Sequence, residues 1–150
     1  MEKKEDKRIG FLLERTTRIA KLSFNKAFAK LDVDITPEQW IVLDTLYTNG
    51  EMSQKDIGSS SFKNAPTISR IIDILHRKGL VDRTTDPEDR RVTTISLTDN
   101  GTYIVEKCSE EVAHLRALSW HNLSEKDYQD FLRIIDQVFN NFEIYSAKHL

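Results

Sequence analysis

One cysteine in 150 residues cannot form an internal disulfide, and such a chain fits a reducing compartment. No apolar run approaches the length of a membrane span. The opening Met1-Glu2-Lys3-Lys4-Glu5-Asp6-Lys7 carries no apolar segment of the signal-peptide type. The expectation is a cytoplasmic protein without membrane contact. There is no glycine-rich phosphate loop and no Ser/His/Asp constellation. Asp86, Glu88 and Asp89 are clustered, but in a polar turn where nothing would shift a pKa toward general-acid use, so neither an enzyme nor a cofactor is expected. His114 and His121 stand seven apart near Glu110 and Glu111, with His76 elsewhere. No pair has a tight ligand spacing, and no metal site is predicted.

A large excess of either charge is also missing, since the net charge is −2. Its distribution says more than its sum. Residues 1–35 carry nine basic and six acidic side chains and residues 51–98 carry eight and seven, whereas residues 99–150 carry five and nine. A surface built from the middle of the chain can therefore be locally basic, and a polyanion partner is permitted. The length predicts one domain over 1–150, with no room for a separate catalytic module. A hydrophobic content of 39% is slightly poor for a compact monomer.

What is present centres on residues 62–101. Ile68, Ile71, Ile72 and Leu75 follow i, i+3, i+4, i+7, one buried stripe of a helix over about 65–78. Pro66, Arg70, Asp73 and Arg77 fall on the opposite side, with Lys63 and Thr67 nearby. Pro66 suits a first turn, and Gly79 after His76-Arg77-Lys78 reads as the helix stop. Leu80 to Thr85 and Val92 to Leu97 are rich in β-branched residues and flank Asp86-Pro87-Glu88-Asp89-Arg90-Arg91, which predicts a hairpin with an arginine-bearing tip. A helix with a free polar face followed by such a hairpin is the layout of a winged helix-turn-helix. The helix enters a major groove and the wing, 86–91, reaches the minor groove.

Elsewhere the chain reads as helices. The first spans about Arg8 to Leu31, with Ile9, Leu12, Leu13, Ile19, Phe24 and Phe28 at three- and four-residue steps. After a linker, Thr36-Pro37-Glu38-Gln39 is a capping-box start to a second helix with a buried face of Trp40, Ile41, Leu43, Leu46 and Tyr47, ended by Asn49-Gly50. Ser53-Gln54-Lys55-Asp56 opens a short helix that is expected to stop near Gly58-Ser59-Ser60-Ser61. That serine run is either a phosphate-facing cluster or a solvated loop. Thr98 caps a helix from Asp99 to about Ser119, broken by Trp120-His121-Asn122-Leu123. Ser124 caps a last one, where Tyr128, Phe131, Ile135, Val138, Phe142 and Tyr145 form a heptad-like seam widened by Leu132 and Phe139. The predicted class is mainly α with a small β-hairpin wing (α+β). The lobe at 36–98 is flanked by helices at 8–31 and 99–146, whose apolar surface exceeds what one small monomer can bury. A homodimer is expected.

Thr67-Ile68-Ser69-Arg70-Ile71-Ile72-Asp73-Ile74-Leu75, Arg77-Lys78-Gly79-Leu80-Val81-Asp82-Arg83, Asp89-Arg90-Arg91 and Leu97-Thr98-Asp99-Asn100-Gly101 together resemble the MarR (multiple antibiotic resistance regulator) family of transcription factors. The family's wing signature, Asp-any-Arg followed by Leu-Thr-any-any-Gly, is met by Asp89, Arg91, Leu97, Thr98 and Gly101. The resemblance implies a dimer built from the N- and C-terminal helices. It also implies a small-molecule effector that enters between the DNA-binding lobe and the dimer helices and changes the separation of the recognition helices. Phe11, Phe24, Trp40 and Tyr47 are the lining candidates. It favours Arg91 over Arg90 as the wing contact. Peroxide-sensing members carry their reactive cysteine in the first helix, where this chain has none.

The expected DNA-binding residues are Ser53, Gln54, Lys63, Asn64, Pro66, Thr67, Ser69, Arg70, Arg77, Asp89, Arg90 and Arg91. Arg70 is placed at a base edge, since a guanidinium can pair both acceptors of a guanine. Arg90 and Arg91 are placed on backbone or minor groove, with Asp89 orienting one of them. The functional expectation is a sequence-specific regulator of double-stranded DNA, a repressor on a pseudo-palindromic operator. The competing readings are a winged helix used for protein contact without DNA, and a redox- or metal-responsive regulator. For the redox case Cys108 is the only thiol, and its place on an apolar stripe favours a buried, inert one.

Overall fold

A computed structural model describes residues 8–61 and 64–149. Helices α1 (Ile9–Lys30), α2 (Pro37–Asn49), α3 (Gln54–Ser61), α4 (Ala65–Arg77), α5 (Asp99–Ser119) and α6 (Glu125–His149) are joined by three short strands, β1 (Met52–Ser53), β2 (Val81–Thr85) and β3 (Thr93–Leu97). By packing, the chain divides into two units, one up to Val112 and one from Ala113 onward, with the division inside α5.

The first unit has one core. Phe28 of α1, Trp40, Val42, Leu43 and Leu46 of α2, Ile57 of α3, the α4 stripe, Val81, Ile95, and Val105, Cys108 and Val112 of α5 are all buried in a continuous cluster. The stripe Ile68, Ile71, Ile72 and Leu75 is buried as its spacing predicts. The buried face of α2 differs from expectation. Val42 is in the core, while Ile41 is 41% exposed and Tyr47 48%. Adjacent residues can share a buried face, as Val42 and Leu43 do here, and periodicity alone widened the stripe to the wrong side.

The α2 start is the predicted capping box: the Gln39 N–H donates to Thr36 Oγ1 at 3.2 Å and the Thr36 N–H to Gln39 Oε1 at 3.3 Å. Lys78 reaches the same place from the end of α4. Its Nζ donates to the Asp34 carbonyl at 2.6 Å and lies 2.9 Å from the Asp34 carboxylate and 3.4 Å from Gln39 Oε1.

The short third helix runs through Gly58, which is buried, and ends at Ser61, within the stretch where its stop is expected. Ser59 and Ser61 donate their hydroxyls to the carbonyls of Lys55 and Ile57 four residues back, which lets a serine run stay helical. The sheet has a strand the pattern did not reveal. Two residues, Met52 and Ser53, pair antiparallel with Ile95 and Thr94, giving the order β1-β3-β2.

In the second unit Ser124 caps α6 by a reciprocal arrangement. Its Oγ accepts from the Asp127 N–H at 3.2 Å, and the Asp127 carboxylate accepts the Ser124 N–H at 2.8 Å and hydroxyl at 2.6 Å. The preceding corner turns through Asn122 at φ +63°, and Trp120 packs edge-on against Tyr128 and Phe131. No described residue of α6 is buried.

Candidate nucleic-acid interface

Helix α4 is held at both ends by local chemistry. At its start the Thr67 N–H donates to Asn64 Oδ1 at 3.0 Å, and Pro66 sits in the first turn, where no backbone donor is missed. At its end Gly79 adopts φ +68°; its N–H donates to the His76 carbonyl (2.9 Å) and the Leu80 N–H to the Leu75 carbonyl (3.0 Å). These two bonds are a Schellman stop, and buried Leu75 and Leu80 supply its hydrophobic contact. Between the ends, burial of the isoleucine stripe leaves Pro66, Thr67, Arg70, Asp73 and Arg77 exposed on one face, with Ser69 half-buried beside them.

The wing follows directly. Strands β2 and β3 pair from Val81 opposite Leu97 to Thr85 opposite Thr93. The tip is a built turn. Asp86 Oδ1 accepts the N–H groups of Glu88 (2.7 Å) and Asp89 (3.2 Å), Asp89 Oδ1 accepts that of Arg91 (3.0 Å), and the Asp86 N–H closes on the Val92 carbonyl (2.9 Å). Asp89 thus orients Arg91 through its backbone N–H. Both Arg90 and Arg91 are exposed, and neither side chain has a hydrogen bond or ion pair among the described residues.

The Leu-Thr-any-any-Gly end of the wing has a physical account. Thr98 Oγ1 donates to the Gly79 carbonyl at 2.7 Å and accepts the Gly101 N–H at 3.0 Å, so one hydroxyl joins the end of α4 to the start of α5. A side chain at Gly101 would put its Cβ 2.0 Å from the Leu80 carbonyl oxygen, so only glycine lets the two segments approach.

The remaining expected contacts divide. Ser53 and Gln54 are half-buried at the start of α3, with the Ser53 hydroxyl engaged with Asp56 at 2.7 Å. The Asn64 side chain is the cap of α4. Lys63 lies outside the described residues. Arg83, which sequence reasoning passed over, is ion-paired with Asp73 across from the wing to α4. An arginine on a strand face gives no periodic signal, and its partner is ten residues away.

The four aromatic candidates for an effector site are not gathered in one place. Phe24 and Trp40 flank Phe28, with ring centroids 6.2 and 5.8 Å from it. Tyr47 donates instead to Glu106 of α5 at 3.3 Å, and Phe11 is 62% exposed under the Arg15 guanidinium. Trp40 is only 4% exposed, and its indole N–H is buried with no hydrogen-bond partner among the described residues. Cys108 is fully buried among apolar side chains, and burial pushes its thiol pKa up. Among the described residues no three His, Cys, Asp or Glu side chains come together as a metal would require, and no helix is long and apolar enough to cross a membrane.

Residues 35–93, from the start of α2 to the wing, match the model of the MarR family. The chain is 32% identical over 121 residues to the HTH-type transcriptional repressor IacR of Pseudomonas putida, a match covering 81% of this chain and 71% of that protein. It is 33% identical over 99 residues to the uncharacterised HTH-type transcriptional regulator YkoM of Bacillus subtilis, covering 66% of this chain and 64% of the other. Among solved structures, the MepR–DNA complex of S. aureus superposes with a TM-score of 0.78 at 25% identity, covering 89% of this chain and 97% of that one. The PcaV regulator of Streptomyces coelicolor, solved with its natural ligand, has the same fold (TM-score 0.77, 23% identity, 89% and 93% covered). With its recognition-type helix, its signature-bearing wing and a repressor as a relative over most of both lengths, this chain belongs to the MarR family.

Proposed function

We propose that this chain is a homodimeric, DNA-binding transcriptional repressor of the cytoplasm, released from its operator by a small molecule. One observation carries the reading. The exposed row Pro66, Thr67, Arg70 and Arg77 on α4 stands next to a wing whose tip turn holds out the Arg90 and Arg91 side chains, with no hydrogen bond or ion pair to them among the described residues. Arg70 reads a base edge from the major groove, Thr67 and Ser69 contact backbone or a thymine methyl, and Arg91, aided by Arg90, takes the minor groove or its phosphates. Asn64 contributes chiefly by fixing the first turn of α4. Ser53 and Gln54 lie on the phosphate side of the helix-turn-helix, and Lys63, by its place in the sequence, is a further phosphate candidate. Residues 36–98 form the DNA-binding lobe, and 8–31 and 99–146 join two chains. The twofold molecule then presents two heads to half-sites about one turn of the double helix apart, a pseudo-palindromic operator.

The effector reading rests on the buried, unpartnered indole N–H of Trp40 beside Phe28 and Phe24. An unpaired buried donor favours a ligand that brings an acceptor to it. By linkage such a ligand releases DNA only through unequal affinity for the two head spacings. Its relatives IacR and PcaV are, respectively, a named repressor and a regulator solved with a ligand.

The test is binding to duplexes selected from a random pool, measured across a salt series. The expected result is a steep linear fall of log affinity with log salt. Arg91→Ala should weaken binding to every sequence and flatten that slope by about one, the loss of one phosphate contact. Arg70→Ala should also relax base preference at one position, by roughly 1–3 kcal/mol. Binding without salt dependence would favour a protein-contact module, and equal, small effects from both variants would overturn the groove assignment.

A further inference from the structure

Asp73 stands in the middle of the exposed α4 face, three residues after Arg70 and four before Arg77, so all three share one side of the helix. A free carboxylate there would be turned toward the phosphates of any duplex that α4 enters. It is not free. The Arg83 guanidinium, from wing strand β2, donates to Asp73 Oδ1. The arrangement is built into the sheet. Arg83 lies two residues after Val81 and therefore on the same face of β2; Val81 and Ile95, the residue opposite Arg83 on β3, are both fully buried. The side chain thus starts from the face of β2 that carries buried Val81, and its guanidinium reaches Asp73 on α4. Arg77 leans on the same residue, its Nε donating to the Asp73 carbonyl at 3.4 Å.

We propose that Arg83 is a charge-masking residue of this face: it cancels the Asp73 carboxylate, so that Arg70 and Arg77 meet DNA as an undiluted positive row. The inference rests on the DNA-binding reading above. Both side chains retain solvent access, 31% for Arg83 and 52% for Asp73, so in the free protein the pair is a screened surface ion pair and adds little to stability. Its effect belongs to the complex, where water leaves the interface and an uncompensated carboxylate faces phosphate.

The test uses the full chain and two duplexes of equal length, one selected by the wild type from a random pool and one unrelated, with affinities measured at one fixed salt concentration. Arg83→Gln should bind both about tenfold more weakly. Asp73→Asn should stay within about threefold of the wild type on both, and the double variant should return to within about threefold as well. A double variant as weak as Arg83→Gln would mean that Arg83 touches DNA directly, and wild-type affinity in Arg83→Gln would mean that the mask is idle. Loss of operator preference in Asp73→Asn would make the carboxylate a base reader, since an acid can accept from cytosine N4. Each of these overturns the proposal. So does recovery of binding that merely tracks recovery of the melting midpoint, whereas recovery at equal midpoints supports charge masking. A wild type that binds neither duplex at low salt defeats the DNA-binding reading itself, before any variant is compared.

Discussion

The two units of this chain solve the same problem to different degrees. In the first, every element contributes to one dry cluster, and all the fully buried apolar side chains of the described residues lie at or before Val112. In the second, α6 carries Phe131, Ile134, Phe139, Phe142 and Tyr145 in the open, with Phe142 70% exposed. A unit of this size cannot close a core by itself, so its apolar surface awaits something outside the chain. The first unit owes its order to internal contacts, whereas the second is an unfinished surface. The proposed reading head at 36–98 lies wholly inside the first unit, while the proposed dimerisation helices fall in both, since α1 in the first unit also leaves Ile9, Phe11 and Ile19 exposed.

The sharpest way to break the contrast is to attack the first unit at its tightest point. Gly101→Ala would drive a Cβ into the Leu80 carbonyl, a backbone atom that cannot rotate away. It would also disturb the Thr98 N–H bond to the same oxygen (3.2 Å). The expected loss is about 3 kcal/mol, at the upper end for overpacking, read as a fall in the denaturant midpoint. An unchanged midpoint would mean that the junction of α4, wing and α5 is looser than its geometry.

Next in size is a change on the second unit that should leave the first intact. Phe142→Asp removes nothing from an internal core, so helicity and the melting of the first unit should persist. The proposed dimer should instead weaken by about 2–4 kcal/mol, the range of an interface hot spot, a change of roughly thirty- to a thousand-fold in dissociation constant by sedimentation. A dimer indifferent to the charge would move the interface away from this end of α6.

The same contrast explains what could be read ahead of the structure. The α4 stripe, the Gly79 stop, the Thr36 capping box and the wing strands (each within a residue or so) were legible because their causes sit within four residues of one another. The face of α2 was misjudged at Ile41, Val42 and Tyr47, since which of two adjacent apolar residues turns inward depends on what packs opposite. Strand β1 is two residues long and exists only because β3 lies beside it. The end of α3 falls at Ser61, inside the expected stretch, because the serine hydroxyls bond backward and carry the helix through Gly58. The Asp73–Arg83 pair and the scatter of Phe11, Phe24, Trp40 and Tyr47 are long-range facts with no local signature.

The smallest expected effect concerns how an unfinished unit is nevertheless told where to begin. Helix α6 has no buried face within its own chain, so its starting point depends on the Ser124–Asp127 box more than a core helix would. Hydrogen bonds from the Ser124 hydroxyl and N–H hold the Asp127 carboxyl below its ordinary pKa of 3.8. A pKa lowered by folding means that the stabilisation is fully present above that ordinary value and is lost as pH falls through the lower folded one. Helicity of the second unit should therefore hold at neutral pH and decline on acidification below about pH 4, and Asp127→Asn should remove this component of the acid profile. Because the carboxylate is fully solvent-exposed, the change should be confined to the first turn of α6, detectable as faster amide exchange there, with the first unit's melting unmoved. If acid loosened the first unit first, the order of robustness inferred from burial would be inverted, and α6 would have to be counted as the better-anchored half.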